Sequence, residues 1–343
     1  MKKINIFLII VLGILSTSCQ NEESEIENPN QNVNNIVVGS PLFDLISRTT
    51  QNPTEIDNVI DNCSGFSVQL PLSLTVNGVA VNVATNLDYQ NVQDIKNQYT
   101  SDNDIVYLDY PVTVIFKNFS TENVSNYSQF HDLVENCEYD NGFNEIDCIS
   151  FNFPLVINIY NADNQIADLI TIQNNEQFYN YINGLNSNII AAFAFPITMT
   201  GSSGENVIIY SNTELESFIN NAIDDCVTNS GGTGTLDLET VLTSGSWYIS
   251  YYYKNIDGTY YYNGYNFTFL NNGDSQVVKN AGVINGSWLI ELDNGIQKLD
   301  LNFEGDSLSE IKEDWKVTEF SETNIRLKKT ENSEIRYLYF AKN

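Results

Sequence analysis

The sequence predicts an α+β, β-rich chain in which four tandem β-β-α repeats are followed by a small antiparallel β-barrel. Four prolines, Pro71, Pro111, Pro154 and Pro196, recur at spacings of 40, 43 and 42 residues. After each proline come alternating apolar residues, a turn and a short amphipathic pattern, so one supersecondary unit is used four times. From Trp247 onward the pattern changes to short alternating segments broken by Asn-Gly turns, which is the signature of an all-β module.

At the N-terminus Lys2 and Lys3 make a positive start, and Ile4 to Leu15 form an apolar run too short to span a bilayer. Ser16, Thr17 and Ser18 then lead into Cys19. The stretch LSTSC resembles the lipobox of bacterial lipoproteins. That resemblance implies lipidation of Cys19, with several acyl chains giving a lasting membrane anchor. The acidic run Gln20 to Glu25 resembles the signal that sends lipoproteins of the Bacteroidota to the outer face of the outer membrane. The reading is a signal peptide over 1–18 and a flexible acidic tether over 19–40.

The repeat region spans 41–227, and its copies read FSVQLPLSLTVNGVAVNVATNLDYQNVQDI, VYLDYPVTVIFKNFSTENVSNYSQFHDLV, FNFPLVINIYNADNQIADLITIQNNEQFYNYI and FAFPITMTGSSGENVIIYSNTELESFI. Proline stands at the start of a strand, where its missing N–H is tolerated. Asn77-Gly78 and Ser203-Gly204 mark hairpin turns in the first and fourth copies. In the fourth copy Ser211 and Glu214 form a capping box, and Leu215, Phe218, Ile219 and Ala222 share one helix face. Phe178, Tyr181, Ile182 and Leu185 repeat that spacing in the third copy, whereas the first copy lacks a Ser-x-x-Glu cap. A lone hairpin or a one-sided short helix is unstable in water, so the copies must pack on one another. The unit resembles uncharacterised repeats of Bacteroidota surface lipoproteins, a resemblance that carries no known activity.

Apart from Cys19 the cysteines are Cys63, Cys137, Cys148 and Cys226, an even number in an oxidising compartment. They bracket the copies in pairs, which implies a duplicated two-copy domain over 63–137 and 148–226. Pairing of Cys63 with Cys137 and of Cys148 with Cys226 is favoured; a Cys137 to Cys148 staple is the rival.

A Gly/Ser/Thr linker over 228–237 leads to the barrel over 238–343. Its strands are expected at Trp247 to Tyr253, Tyr260 to Leu270, Ser275 to Lys279, Gly286 to Leu292, Gln297 to Phe303, Asp314 to Phe320, Asn324 to Lys329 and Glu334 to Phe340. Closure of such a series removes exposed edges. Gly245-Ser246-Trp247, Phe267-Thr268-Phe269, Gly286-Ser287-Trp288 and Trp315-Lys316-Val317 look like the small lipocalin-like domains of bacterial lipoproteins. The resemblance implies that Trp247 packs at the closed end of the barrel. A barrel of this size either holds one small ligand or is filled by side chains, and both readings stay open.

The 44 acidic and 15 basic side chains give a net charge of −29, which excludes a nucleic-acid binder. His131 is the single histidine and no Gly-x-Ser-x-Gly motif occurs, so no catalytic, cofactor-binding or metal-binding residue is assigned. Glu135, Glu138, Asp140, Asn141 and Asp147 could offer oxygens to calcium but lack EF-hand spacing, and a solvated linker is the better reading. Among the tyrosines from Tyr248 to Tyr265, Tyr251, Tyr253, Tyr260 and Tyr262 are the candidate ligand contacts, with cross-strand pairing as the alternative. The expectation is a membrane-anchored binding module for a glycan, a small apolar ligand or a protein partner, not an enzyme. The alternatives are a glycan-processing or hydrolytic accessory using paired carboxylates and a structural envelope component.

Overall fold

The structure is a computed structural model that describes residues 34–98, 104–137, 143, 145–161, 165–186, 188–229, 237–293, 296–332 and 334–343. Cys19, the signal segment and most of the tether lie outside the described residues.

The part of the chain ahead of the barrel opens with helices α1 (Pro41–Thr50) and α2 (Asn58–Asp61). Next come β1 (Phe66–Val68), β2 (Leu72–Val76), β3 (Val79–Val83), α3 (Tyr89–Lys96), β4 (Val106–Leu108), β5 (Val112–Phe116), β6 (Thr121–Val124) and α4 (Tyr127–Glu135). The second half holds β7 (Ser150–Phe151), β8 (Leu155–Tyr160), β9 (Ile166–Ile172), α5 (Asn175–Asn183), β10 (Ile190–Phe193), β11 (Ile197–Thr200), β12 (Asn206–Ile209) and α6 (Asn212–Asn229).

Hairpins β2–β3, β5–β6, β8–β9 and β11–β12 follow the four prolines, and each of those prolines is joined through a cis peptide. At Asn77-Gly78 both residues have positive φ, 50° and 84°, as a two-residue type I′ turn requires. The short strand before each proline leaves its own hairpin and joins its neighbour's. Thus β1 pairs with β5 and β4 with β2, while β7 pairs with β11 and β10 with β8. Each half is therefore two three-stranded sheets that complete one another by exchange.

The hairpin-to-helix junctions carry one device. Asn126 and Asn174 accept from the backbone N–H of Gln129 and Gln177, whose side chains accept in return from Ser125 and Gln173. Ser211 accepts from Glu214 N–H, and the Glu214 carboxylate accepts from Tyr210 N–H. In the first hairpin the Thr85 and Ala84 N–H groups donate to Asp88, so Asp88 takes the place of the missing Ser-x-x-Glu cap.

The half over 63–137 has its own core, with Phe66, Leu74, Val76, Val114, Val124 and Phe130 buried, and it is closed by a Cys63–Cys137 disulfide with Cα atoms 5.9 Å apart. The Cys137 to Cys148 staple is thereby excluded. Cys148 is also disulfide-bonded, and its Sγ lies 3.7 Å from Ala222 O, one turn ahead of Cys226 on α6. The Cys226 side chain lies outside the described residues.

In the second core Phe151, Ile157, Phe178, Ile182, Met199, Leu215 and Ile219 pack with Leu42, Leu45 and Ile46 of α1. Helix α1 thus precedes the first half in sequence but covers the second. The tether ends sooner than expected, because Ile36 is buried in this core and its N–H donates to Ala191 O at 2.7 Å. Helix α6 also runs through Asn229, taking the first residues assigned to the linker; 230–236 lie outside the described residues.

The C-terminal module begins with α7 (Leu238–Thr243) and continues with β13 (Ser246–Lys254), β14 (Ile256–Asp257), β15 (Asn266–Phe269), β16 (Asp274–Lys279) and β17 (Gly282–Asp293). It ends with β18 (Ile296–Phe303), β19 (Asp314–Phe320), β20 (Asn324–Glu331) and β21 (Glu334–Lys342). The strands pair in sequence order and β21 closes on β13, giving an eight-stranded antiparallel barrel with β14 as a two-residue addition. The expected strand Tyr260 to Leu270 is instead a 3-10 turn over Thr259–Tyr262 followed by β15, with Gly264 at φ 82° between them. The buried Trp247 donates its indole N–H to Leu242 O of α7 at 2.8 Å, which fixes that helix against the barrel.

Candidate functional site

Alternation along the strands sends Trp247, Ile249, Phe267, Phe269, Leu299, Phe303, Trp315, Leu327 and Phe340 into the barrel, where all are buried. Leu308 and Ile311, at the two ends of the 3-10 turn Ser309–Ile311, add to this core, and Trp315 Nε1 donates to Ile311 O. Among the described residues the barrel is filled by its own side chains.

The outer face of β13, β20 and β21 takes a different role. A bulge between Ile249 and Tyr251 keeps Tyr252 inside and places Tyr251 opposite Tyr339 and Tyr253 opposite Tyr337 on the outside. This face meets helices α1 and α6. The Arg48 guanidinium of α1 grips Glu319 of β19 with two bonds of 2.8 and 2.7 Å, and Arg326 reaches Asp44 at 2.6 Å. Lys328 and the Tyr337 hydroxyl both converge on Glu216 of α6. Arg326 also lies over the Phe143 ring at 4.0 Å. Burial first, then the Glu216 charge, pushes the Tyr337 hydroxyl far above its ordinary pKa.

Two of the four candidate ligand tyrosines, Tyr251 and Tyr253, therefore belong to the tyrosine-lined face beside the seam. Tyr262 is buried in the barrel against Tyr252, with ring centroids 5.0 Å apart. Tyr260 alone is exposed, side by side with Tyr261 at 3.9 Å.

The part of the chain ahead of the barrel holds buried acids of its own. Asp57 is fully buried; its Oδ2 accepts from Val68 N–H at 2.6 Å, and its Oδ1 has no hydrogen-bond partner among the described residues. Asp61 accepts from Cys63 N–H and keeps Oδ2 buried and unpartnered. Burial, then the charge of Asp61, pushes Asp57 up to about 8, and burial pushes Asp61 up to about 7. Nearby, burial would raise Glu145, but Lys117 at 3.1 Å and the hydrogen bonds from Thr54 outweigh it and hold its carboxyl below the usual range.

On the barrel wall a cleft of about 580 Å³ crosses three strands at Gly286. Register places Asp274, Ser287 and Asn302 in one exposed cross-strand row, while Gln276 and Asn285 form the next with Glu304, whose N–H donates to Asn285 O. Between these rows lie buried Ser275, Gly286 and buried Phe303. A Cβ at Gly286 would sit 2.3 Å from Asn302 O, so only glycine permits this approach of the strands. The Ser275 side chain is 1% exposed, yet its Oγ has no partner among the described residues.

His131 Nε2 lies 3.1 Å from Glu135, and the Tyr127 ring stacks on the imidazole, so this half-exposed pair sits on the outside of α4. Of the calcium candidates, Glu135 is engaged with His131, Asp147 lies near Glu145, and Glu138, Asp140 and Asn141 lie outside the described residues. Among the described residues no three acids, cysteines or histidines are grouped for a metal ion. No helix among them is long and apolar enough to cross a membrane.

The cleft residues were not singled out by sequence reasoning, which read Gly286-Ser287-Trp288 only for its likeness to a family. The available signal was a run of short polar residues at alternate positions of adjacent strands. Comparison with protein-family models, curated proteins and solved structures finds no match to this chain.

Proposed function

We propose that the protein is an acyl-anchored lipoprotein of the outer membrane, displayed at the cell surface, that acts as a binding module and not as an enzyme. The observation that carries the binding reading is the cleft at Gly286, a concave polar surface on a barrel whose interior is occupied. Anchoring rests on the lipobox-like stretch before Cys19. The shared strand exchange and helix caps support duplication of a two-copy β-β-α unit. The inward Trp247 held by α7 supports a lipocalin-like origin for the barrel.

A structural envelope component is the second reading, because the filled barrel is what it requires. The hydrolytic alternative would draw on Asp274 and Glu304, the two carboxylates that line the cleft, but both are exposed, and the buried Asp57 and Asp61 lie outside it. Two measurements test the proposal. Cys19→Ala should abolish labelling by palmitate and release the chain from the membrane fraction. A thermal-shift panel of sugars, fatty acids and peptides on the full chain should show saturable stabilisation by one class. Failure of every class would favour the structural reading.

A further inference from the structure

Several charged groups on the neighbouring barrel wall are paired with one another. Lys298 bridges Asp293 and Asp314, Lys329 joins Glu313 and Asp314, and Arg336 holds Glu334. The cleft differs. Gln276, Asn285, Ser287, Asn302 and Glu304 face it without a side-chain hydrogen bond to the protein among the described residues. Ser275 beneath them adds a buried hydroxyl with its capacity unused.

We infer that this cleft binds a neutral, hydroxyl-rich ring, that is, a sugar. The Gln276, Asn285 and Asn302 amides and the Ser287 hydroxyl each donate and accept, which matches hydroxyls that do the same. Carboxylates of Asp274 and Glu304 add acceptors, and with Lys312 as the one cation in the lining an anionic ligand is disfavoured. Leu270 and the buried Phe303 are the only large apolar side chains in the lining, too few for a fatty chain. The volume of about 580 Å³ lies within the range of small-molecule sites. This inference rests on the binding-module reading and names its ligand class.

The test is saturation-transfer NMR on the full chain with D-glucose and N-acetyl-D-glucosamine, with inorganic phosphate and palmitate as controls. The expected result is transfer to at least one sugar and to neither control. Asn302→Leu and Ser287→Val replace exposed strand residues and should each weaken sugar binding about tenfold, the loss of one hydrogen-bonding partner, with the melting temperature unchanged. Tyr107→Ala, which alters an exposed residue of β4 away from the cleft, should leave binding intact. Absence of transfer to both sugars, or sugar binding indifferent to Asn302→Leu and Ser287→Val, overturns the inference. Binding of palmitate in place of sugar would overturn it while leaving the binding-module reading standing.

Discussion

The halves over 63–137 and 148–226 share one exchange topology and differ in what covers them. The first, closed by the Cys63–Cys137 disulfide, has the buried Asp57 from the segment just ahead of it bonded to its strand β1. The second draws in α1 from ahead of the first half and turns its charges outward, where Arg48 and Glu216 meet the barrel. One strand arrangement thus serves as a self-contained body in one place and as a docking platform in the other. The covering segment and the placement of charge make the difference, not the hairpins.

The largest expected effect tests the self-contained half. Replacing Cys63 and Cys137 together by serine removes the closure of a loop spanning 74 positions and should destabilise that half by about 4.5 kcal/mol, with hydrogen exchange rising in β1 to α4 and not in the barrel. A uniform rise across the chain would show that the halves do not unfold separately.

Next, Ile46→Ala should cost about 3.5 kcal/mol, read as faster exchange in α5 and α6 while β1 to β6 stay protected. This would show that α1 belongs energetically to the half it follows in space and not in sequence. Arg48→Ala should cost about 3 kcal/mol by leaving Glu319 without its fork, and a double-mutant cycle with Glu319→Gln should return a clear coupling energy.

The smallest effect concerns the buried acids. Both Asp57 and Asp61 have folded values above the ordinary carboxylate value near 4, so folding favours their protonated forms. The stability they lend is complete below about pH 4 and is lost as pH rises toward 8. Asp61→Asn should therefore raise the melting temperature at pH 8 by a few degrees, with a smaller change at pH 5. An equal shift at both pH values would assign the effect to packing.

Much of the local structure was legible in the sequence. Asn77-Gly78, the helix faces through Phe178 and Leu215, and all but one of the barrel strands follow from turn chemistry and periodicity. The misread strand at Tyr260 fails for a local reason, since strand-favouring tyrosines there sit between glycines and coil into a turn. Tyr251 and Tyr253 stand out in the sequence, but their place beside the seam does not, because a bulge after Ile249 sets which rings point outward. Nothing in the neighbourhoods of Arg48, Glu216 or Asn302 announces a long-range partner.

Amino-acid order alone settled the hairpins, the helix faces and the closure of eight strands, because each depends on residue types at short or regular spacing; it favoured the pairing of Cys63 with Cys137 but left a Cys137 to Cys148 staple open. Tertiary packing decided which half α1 covers, which pre-proline strand completes which hairpin, that the barrel is filled, and where unpaired polar groups gather. Those outcomes depend on which distant surfaces exclude water together, and residue type and spacing do not specify that for any one residue.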